Sequence, residues 1–269
     1  MEINNLKQKN LHSKTGHLKN PKSCIIFFIK ALVKGHVKTR LAKTFGSKTV
    51  LIIYQNFVKD MLNMLRCLDY ELRVYFNHPD LMMPAKYLSS DMSDKKKQIK
   101  ILQKEDEIKK EIQAFIGNDL KLFVQKGRNL GEKMHNAFKQ TFDKGFSKAL
   151  LIGSDIPDLP SYIIENAFLK LQNFQSVIGH CSDGGYYLIG FNSKDLSDKV
   201  FEDIKWGSDN VFFQTKKRFN DNNINFAALD LWYDIDTKKD LIEFIKRNKN
   251  KEFTTIHYLK QLNLIERIL

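Results

Sequence analysis

Cysteine is scarce in this chain: Cys24, Cys67 and Cys181 are the three present in 269 residues. They lie far apart, and no two have the spacing of a zinc site or a redox pair. Seven scattered histidines form no HxxxH pair. These absences exclude a disulfide scaffold and a structural metal, and they lead us to expect a reduced, cytoplasmic protein. Long apolar runs are also missing. The longest, Cys24–Ile29, is far short of the roughly 20 residues that span a bilayer. Proline numbers five, and no Pro/Gly-rich linker divides the chain. Arginine supplies seven of 44 basic residues, so the net charge of +13 is mostly lysine. Abundant Lys, Asn and Ile are what an AT-biased coding sequence produces, which makes net charge a weak guide to partners. A basic RNA- or DNA-binding protein is the non-enzyme alternative, but it requires Arg and aromatic residues clustered on one face. Seven dispersed arginines argue against it, and no nucleic acid partner is expected.

The rest of the composition is globular, with 42% hydrophobic and 28% charged residues. At about 150 residues per domain the length allows one large domain or two small ones. Residues 1–23 are polar and basic, contain no hydrophobic signal core, and are expected to be a poorly ordered extension. Residues 24–269 are expected to form one domain.

Past the extension, apolar runs alternate with helical patterns. Cys24–Ile29 is apolar throughout and predicts a strand buried on both faces. Residues 47–67 place Leu51, Tyr54, Phe57, Val58, Met61, Leu62 and Leu65 on one helical face. The spacing predicts further strands at 71–76, 120–124, 149–152, 177–179, 186–191 and 227–231. It predicts further helices over 94–115, 130–142, 161–172, 237–247 and 253–269. Strands alternating with helices indicate an α/β fold with a mainly parallel sheet flanked by helices. In such sheets ligands gather beyond the carboxyl ends of the strands, so the polar residues after each strand are the candidates.

Three segments stand there. Lys30 to Leu41 follows the first strand and runs into a helix. Gly35 permits a tight turn, and free N–H groups at the helix start with Lys38 and Arg40 would suit a diphosphate. Its spacing is neither a P-loop nor a dinucleotide fingerprint, and a generic basic loop is the plain alternative. Gly153-Ser154-Asp155-Ile156-Pro157-Asp158 ends the fourth strand. Asp155 there could reach a hard cation such as Mg²⁺ or Mn²⁺, or it could cap the helix that follows; capping is the better reading for Asp158. Asp183-Gly184-Gly185 is a strong turn signal, and its glycines would also let backbone approach a ligand while Asp183 faces the same metal or an acceptor. Cys181 and His180 are too isolated to be read as a nucleophile and its base. Asp236 and Thr237 read as a helix start.

In order, Ile29-Lys30-Ala31, Gly35-x-Val37-Lys38-Thr39-Arg40-Leu41, Leu130-Gly131-x-x-Met134, Gly153-Ser154-Asp155-x-Pro157-x-Leu159-Pro160, Asp183 to Gly190, Phe201 with Trp206, and Asp234-Ile235-Asp236-Thr237 form one pattern. It resembles the bacterial GT-A-fold family DUF2064, whose members are often described as arsenosugar-biosynthesis or radical-SAM-associated glycosyltransferases. The match covers about residues 24 to 245. That resemblance implies a nucleotide-diphospho-sugar transferase fold. The family is similar in turn to phospholactate guanylyltransferases and molybdenum-cofactor nucleotidylyltransferases, which place an Asp after the fourth strand on Mg²⁺. By that analogy Asp155 and Asp183 are the metal residues, with Asp183 also the candidate catalytic base on the acceptor and Asp236 a distant second. The resemblance further implies nucleotide and phosphate contacts at Lys30, Gly35, Lys38, Arg40, Gly131, Ser154, Gly184 and Gly185. The chain departs from the family pattern at Asn129 and Lys133, where Asp and Arg are usual.

The expected activity is therefore glycosyl transfer from a nucleotide-diphospho-sugar donor to a small-molecule acceptor, with Mg²⁺ or Mn²⁺ as cofactor. Negative charge grows on the departing diphosphate, where a divalent ion and nearby lysines would stabilise it. The alternative is a nucleotidylyltransferase joining a nucleoside triphosphate to a phosphorylated acceptor. The Gly-rich signature usual for that class is absent after the first strand.

Overall fold

The computed structural model describes residues 22–81 and 95–268. Nearly all of the expected extension, residues 1–21, lies outside them, but Lys22 and Ser23 already belong to the fold. Strand β1 (Ser23–Ile29) starts at Ser23, and the Lys22 carbonyl accepts from the backbone N–H of Ser147 and Lys148. Every residue of β1 is buried. Its alternate side chains enter opposite cores: Ile25, Phe27 and Ile29 face one, while Cys24, Ile26 and Phe28 face the other. That is why the run is apolar throughout rather than alternating.

Helices α1 (Thr39–Phe45) and α2 (Ser47–Arg66) follow, separated by Gly46 at φ +78°. Then come β2 (Glu71–Phe76), α3 (Lys95–Ile116), β3 (Lys121–Val124), α4 (Leu130–Phe142), β4 (Lys148–Gly153) and α5 (Ser161–Lys170). β5 (Ser176–Cys181) and β6 (Tyr186–Asn192) form a hairpin, followed by α6 (Val211–Asp221), β7 (Phe226–Trp232), α7 (Lys238–Asn248), α8 (Thr254–Gln261) and α9 (Leu264–Ile268). The seven strands lie in the order β3-β2-β1-β4-β6-β5-β7. β6 alone runs antiparallel, against β4 and β5; the other pairings are parallel. The α/β expectation holds.

One face of the sheet packs α2, α3, α5, α7 and α8; the other packs α4 and α6. The terminal stretch read as one helix is two, α8 and α9, broken at Asn263 with φ +51°. The start of α8 has no local cap: Phe253 precedes it. Instead the Asp60 carboxylate of α2 accepts from the backbone N–H of Thr254 at 2.7 Å and of Thr255 at 3.0 Å, and from both hydroxyls. No helix among the described residues is long and apolar enough to cross a membrane.

Candidate active site

The chain turns in opposite directions after β1 and β4: β1 leads outward to β2, and β4 leads towards β6. This is the reversal of strand order at which open α/β sheets bind ligands. A cleft of about 570 Å³ opens there, beyond the carboxyl ends of β1, β4, β5 and β7. Among the sequence candidates, Lys30, Arg40, Ser154, Asp155, Asp183 and Gly185 line it; Gly35, Lys38, Gly131 and Gly184 do not.

Lys38 sits behind the wall. Its side chain is fully buried, with Nζ 2.7 Å from Asp236 Oδ1 and 2.9 Å from Asp155 Oδ1. The residue holds φ +46°, the left-handed region, at the entry to α1. The expectation that Lys38 faces the diphosphate is thus not what this structure displays: its ammonium is enclosed by two carboxylates. Lys30, directly after β1, donates to Asp155 Oδ2 at 2.7 Å and remains about half exposed. Burial works against the Lys30 charge, but the Asp155 carboxylate beside it outweighs that and holds its pKa above the ordinary value. The converse acts on Asp155. Burial alone would raise its pKa, and Lys38 and Lys30 together hold it well below the usual carboxylate range. Arg40 is exposed on the cleft wall.

Asp155 does not cap α5, whose N-cap is Pro160. Asp158 does not cap it either, which corrects that reading. The buried Asp158 carboxylate accepts from Asn248 at 2.6 Å, Arg247 at 3.1 Å and the Trp232 indole at 3.2 Å, tying the loop after β4 to α7 and β7. At the start of α7 the cap is Thr237, in a capping box with Asp240, which leaves the Asp236 side chain to Lys38.

Opposite these pairs stands an acidic group that includes a residue the sequence reading passed over. Ligand atoms of Cys181, Asp183 and Asp234 lie within 4.8 Å of one another. Asp234 follows β7 by two residues and was missed as a site residue. The expected strand ends at Leu231, and in the acidic segment that follows the sequence reading offers Asp236, as a helix start and a distant second candidate base, but gives Asp234 no role; the Asp234-Ile235-Asp236 spacing beyond a strand is the available signal. Burial, followed by the neighbouring Asp183, pushes the Asp234 carboxyl up to about 7. Asp183 accepts from its own turn, at 2.8 Å from the Gly185 N–H. Two carboxylates drawn together against their repulsion suit a hard cation such as Mg²⁺ or Mn²⁺. Cys181 suits one poorly: burial pushes its thiol far above the usual range, so it stays protonated. The donor set therefore fits Mg²⁺ or Mn²⁺ at Asp183 and Asp234. His180 stacks on Phe212, with ring centroids 4.2 Å apart, and forms no pair with Cys181.

Two glycines carried over as phosphate contacts have packing roles instead. A Cβ on Gly131 would lie 2.6 Å from the Trp206 ring, so this glycine lets α4 approach that ring. Gly184, at φ +88°, passes so close to Asp209 that a Cβ would lie 1.8 Å from its carbonyl oxygen. Asn129, where the family pattern has Asp, is the N-cap of α4 and accepts from Glu132 N–H at 2.9 Å. Asn and Asp cap about equally well, so the departure preserves the helix start.

A family of uncharacterised proteins conserved in bacteria, DUF2064, matches residues 90–208. The chain is also similar to the 2-phospho-L-lactate guanylyltransferases of Methanocaldococcus jannaschii and Methanocaldococcus vulcanius. The identities are 30% and 29% over 159 residues, 57% of this chain in each case. The chain spans about two thirds of the length of these relatives, 66% and 68%. Among solved structures, a candidate nucleotide-diphospho-sugar transferase from Desulfovibrio desulfuricans G20 is 31% identical, with a TM-score of 0.77 over 92% of this chain and 97% of that one.

Proposed function

Because the chain belongs to the DUF2064 family, within a nucleotide-diphospho-sugar transferase-like fold, we propose that it is a nucleotidyltransferase. It would join the nucleoside monophosphate of a triphosphate donor to a phosphorylated small-molecule acceptor and release pyrophosphate. The likeness to two guanylyltransferases makes GTP the first donor to test.

The observation that carries this reading over glycosyl transfer is the engagement of the carboxylates in the cleft. Asp155 and Asp236 are held by Lys38, and Asp183 and Asp234 face each other. Among the carboxylates lining the cleft this leaves the exposed Asp209 as the one outside these pairs, so a free base for a hydroxyl acceptor, which inverting glycosyl transfer would need, is confined to that side chain. A phosphate oxygen is already anionic at neutral pH and needs no base. It attacks the α-phosphorus, the bond from that phosphorus to the bridging oxygen breaks, and pyrophosphate leaves with the electron pair. Positioning and charge stabilisation are then the main tasks of the protein.

The residues divide accordingly. Asp183 and Asp234 would hold Mg²⁺ or Mn²⁺, which when bound supplies positive charge to the donor phosphates. Arg40 reaches those phosphates from the exposed wall, and Lys30 presents the open side of its ammonium. Asn77 and Gln125 line the cleft with one end of each amide committed to backbone: Asn77 Oδ1 accepts from Ala31 N–H, and Gln125 Nε2 donates to Ile29 and Tyr75 carbonyls. The other ends are a donor and an acceptor of the kind a nucleobase edge requires.

Glycosyl transfer is the second reading, favoured by the Desulfovibrio likeness. One experiment separates them. Purified protein with Mn²⁺ is given each nucleoside triphosphate and a panel of phosphorylated hydroxy acids and sugars, and pyrophosphate is measured. Nucleoside diphosphate release from sugar nucleotides is measured in parallel. Acceptor-dependent pyrophosphate supports nucleotidyl transfer; acceptor-dependent nucleoside diphosphate alone overturns it.

A further inference from the structure

The residue after the fourth strand of this fold, Asp155, is expected from the family resemblance to bind the metal. The geometry points to a different arrangement. We infer that the Lys38 ammonium is a resident cation between Asp155 and Asp236. A divalent ion is then confined to Asp183 and Asp234. This deepens the reading above and rests on its metal site.

Four observations converge. First, Lys38 Nζ has a carboxylate oxygen on each side, at 2.7 and 2.9 Å, from two segments far apart in sequence. A metal bridging Asp155 and Asp236 would need the place that this ammonium fills. Second, the ammonium is enclosed: the Lys38 side chain has no solvent exposure, whereas Asp155 and Asp236 keep 24% and 34%. Third, the two carboxylate segments are fixed to each other independently of Lys38. The Ile235 N–H, between Asp234 and Asp236, donates to the Asp155 carbonyl at 3.0 Å. Fourth, Asp155 is already covered on its other oxygen by Lys30 at 2.7 Å, and neither Asp155 nor Asp236 joins the group of metal-capable atoms formed by Cys181, Asp183 and Asp234.

The formal charges agree. Asp155 and Asp236 with Lys30 and Lys38 sum to zero. The cleft carboxylates that remain, Asp183, Asp209 and Asp234, are opposed by Arg40 and leave two negative charges, which one divalent ion neutralises. Lys38 is thus a positioning residue. It keeps two carboxylates in place, sets the number of divalent ions at one, and does so from a backbone conformation that holds the side chain inward.

The test counts bound Mn²⁺, added alone, by the loss of the free-ion electron paramagnetic resonance signal. Wild type, Asp155→Asn and Lys38→Met are compared. The expectation is one ion for wild type, and one ion for Asp155→Asn with affinity within about threefold. Lys38→Met should bind two, because the vacated position between two carboxylates then accepts a cation. Loss of Mn²⁺ binding in Asp155→Asn, or two ions in wild type, overturns the assignment. So does a single ion of unchanged affinity in folded Lys38→Met. Asn is close to Asp in size, so if Lys38→Met fails to fold, Asp155→Asn decides alone. Wild type that binds no Mn²⁺ removes the metal from the proposed function; a first ion appearing only in Lys38→Met would still support the resident cation.

Discussion

Replacing Asp234 by Asn should make the ligand-free protein more stable and less able to bind metal. In the native state burial and Asp183 raise the Asp234 carboxyl from its ordinary 3.8 to about 7. Between those values the folded protein keeps a proton that the unfolded chain has lost, so stability falls as pH rises through that window. The penalty is absent below about pH 4 and complete above about pH 7. At ~1.36 kcal/mol per tenfold change in proton affinity, the full gap corresponds to about 4 kcal/mol. Solvent reaching this partly exposed group reduces the expected effect to about 1–3 kcal/mol. Asn cannot ionise, so the variant escapes the penalty. Urea denaturation of both proteins at pH 4, 6 and 8 reads it directly: the curves should nearly coincide at pH 4 and separate progressively, with Asp234→Asn the more stable at pH 8. Millimolar Mn²⁺ should then stabilise wild type at pH 8 and leave the variant almost unmoved, because an ion that binds the native state shifts unfolding by mass action. A variant that is less stable than wild type at pH 8, or that gains as much from Mn²⁺, would refute the reasoning.

Arg40→Ala should weaken nucleoside triphosphate binding by about three- to tenfold through loss of a charge-assisted phosphate contact, with a melting temperature within about 2 °C of wild type; calorimetric titration measures the first and a thermal unfolding scan the second. Gly131→Ala should destabilise the protein by about 1–3 kcal/mol, since its methyl group would press on Trp206, while nucleotide affinity in the folded fraction stays as it was; denaturation and ligand titration together check this. Asp158→Ala leaves donors of Arg247, Asn248 and Trp232 without their acceptor and should cost about 3–5 kcal/mol of stability in chemical denaturation.

Much of the frame was legible in the sequence because burial imposes periodicity. The limits 71–76 and 130–142 coincide with β2 and α4, where strand or helix ends at an unambiguous polar boundary. Helix α6 was not foreseen. Its inward residues Val211, Phe212, Thr215 and Phe219 include a threonine, and Lys216, Lys217 and Arg218 dilute the rest, so the apolar stripe is narrow. The cleft was legible as a place, since the expected loops after β1 and β4 and the turn after β5 do meet there. The pairing within it was not. Whether Lys38 points at solvent or at Asp236, 198 positions later, depends on a left-handed backbone at one residue, and nothing in local composition encodes that. Asp234 is illegible for a related reason: its character arises first from burial and then from Asp183, both of which follow from the parallel pairing of β5 with β7 rather than from local composition.

The carboxylate that α2 lends to the start of α8 has a bearing on the order in which the chain assembles. A helix of eight residues with no start signal of its own nucleates poorly by itself. Its signal is stored at Asp60, 194 positions upstream. During synthesis that acceptor is made first, and residues 254–261 emerge to find their cap already in the chain. The dependence also runs backwards. Until Thr254 and Thr255 arrive, Asp60 lacks the four donors it meets in the finished fold. Helix α8 thereby acts as a completion signal for α2, laid down far upstream of it.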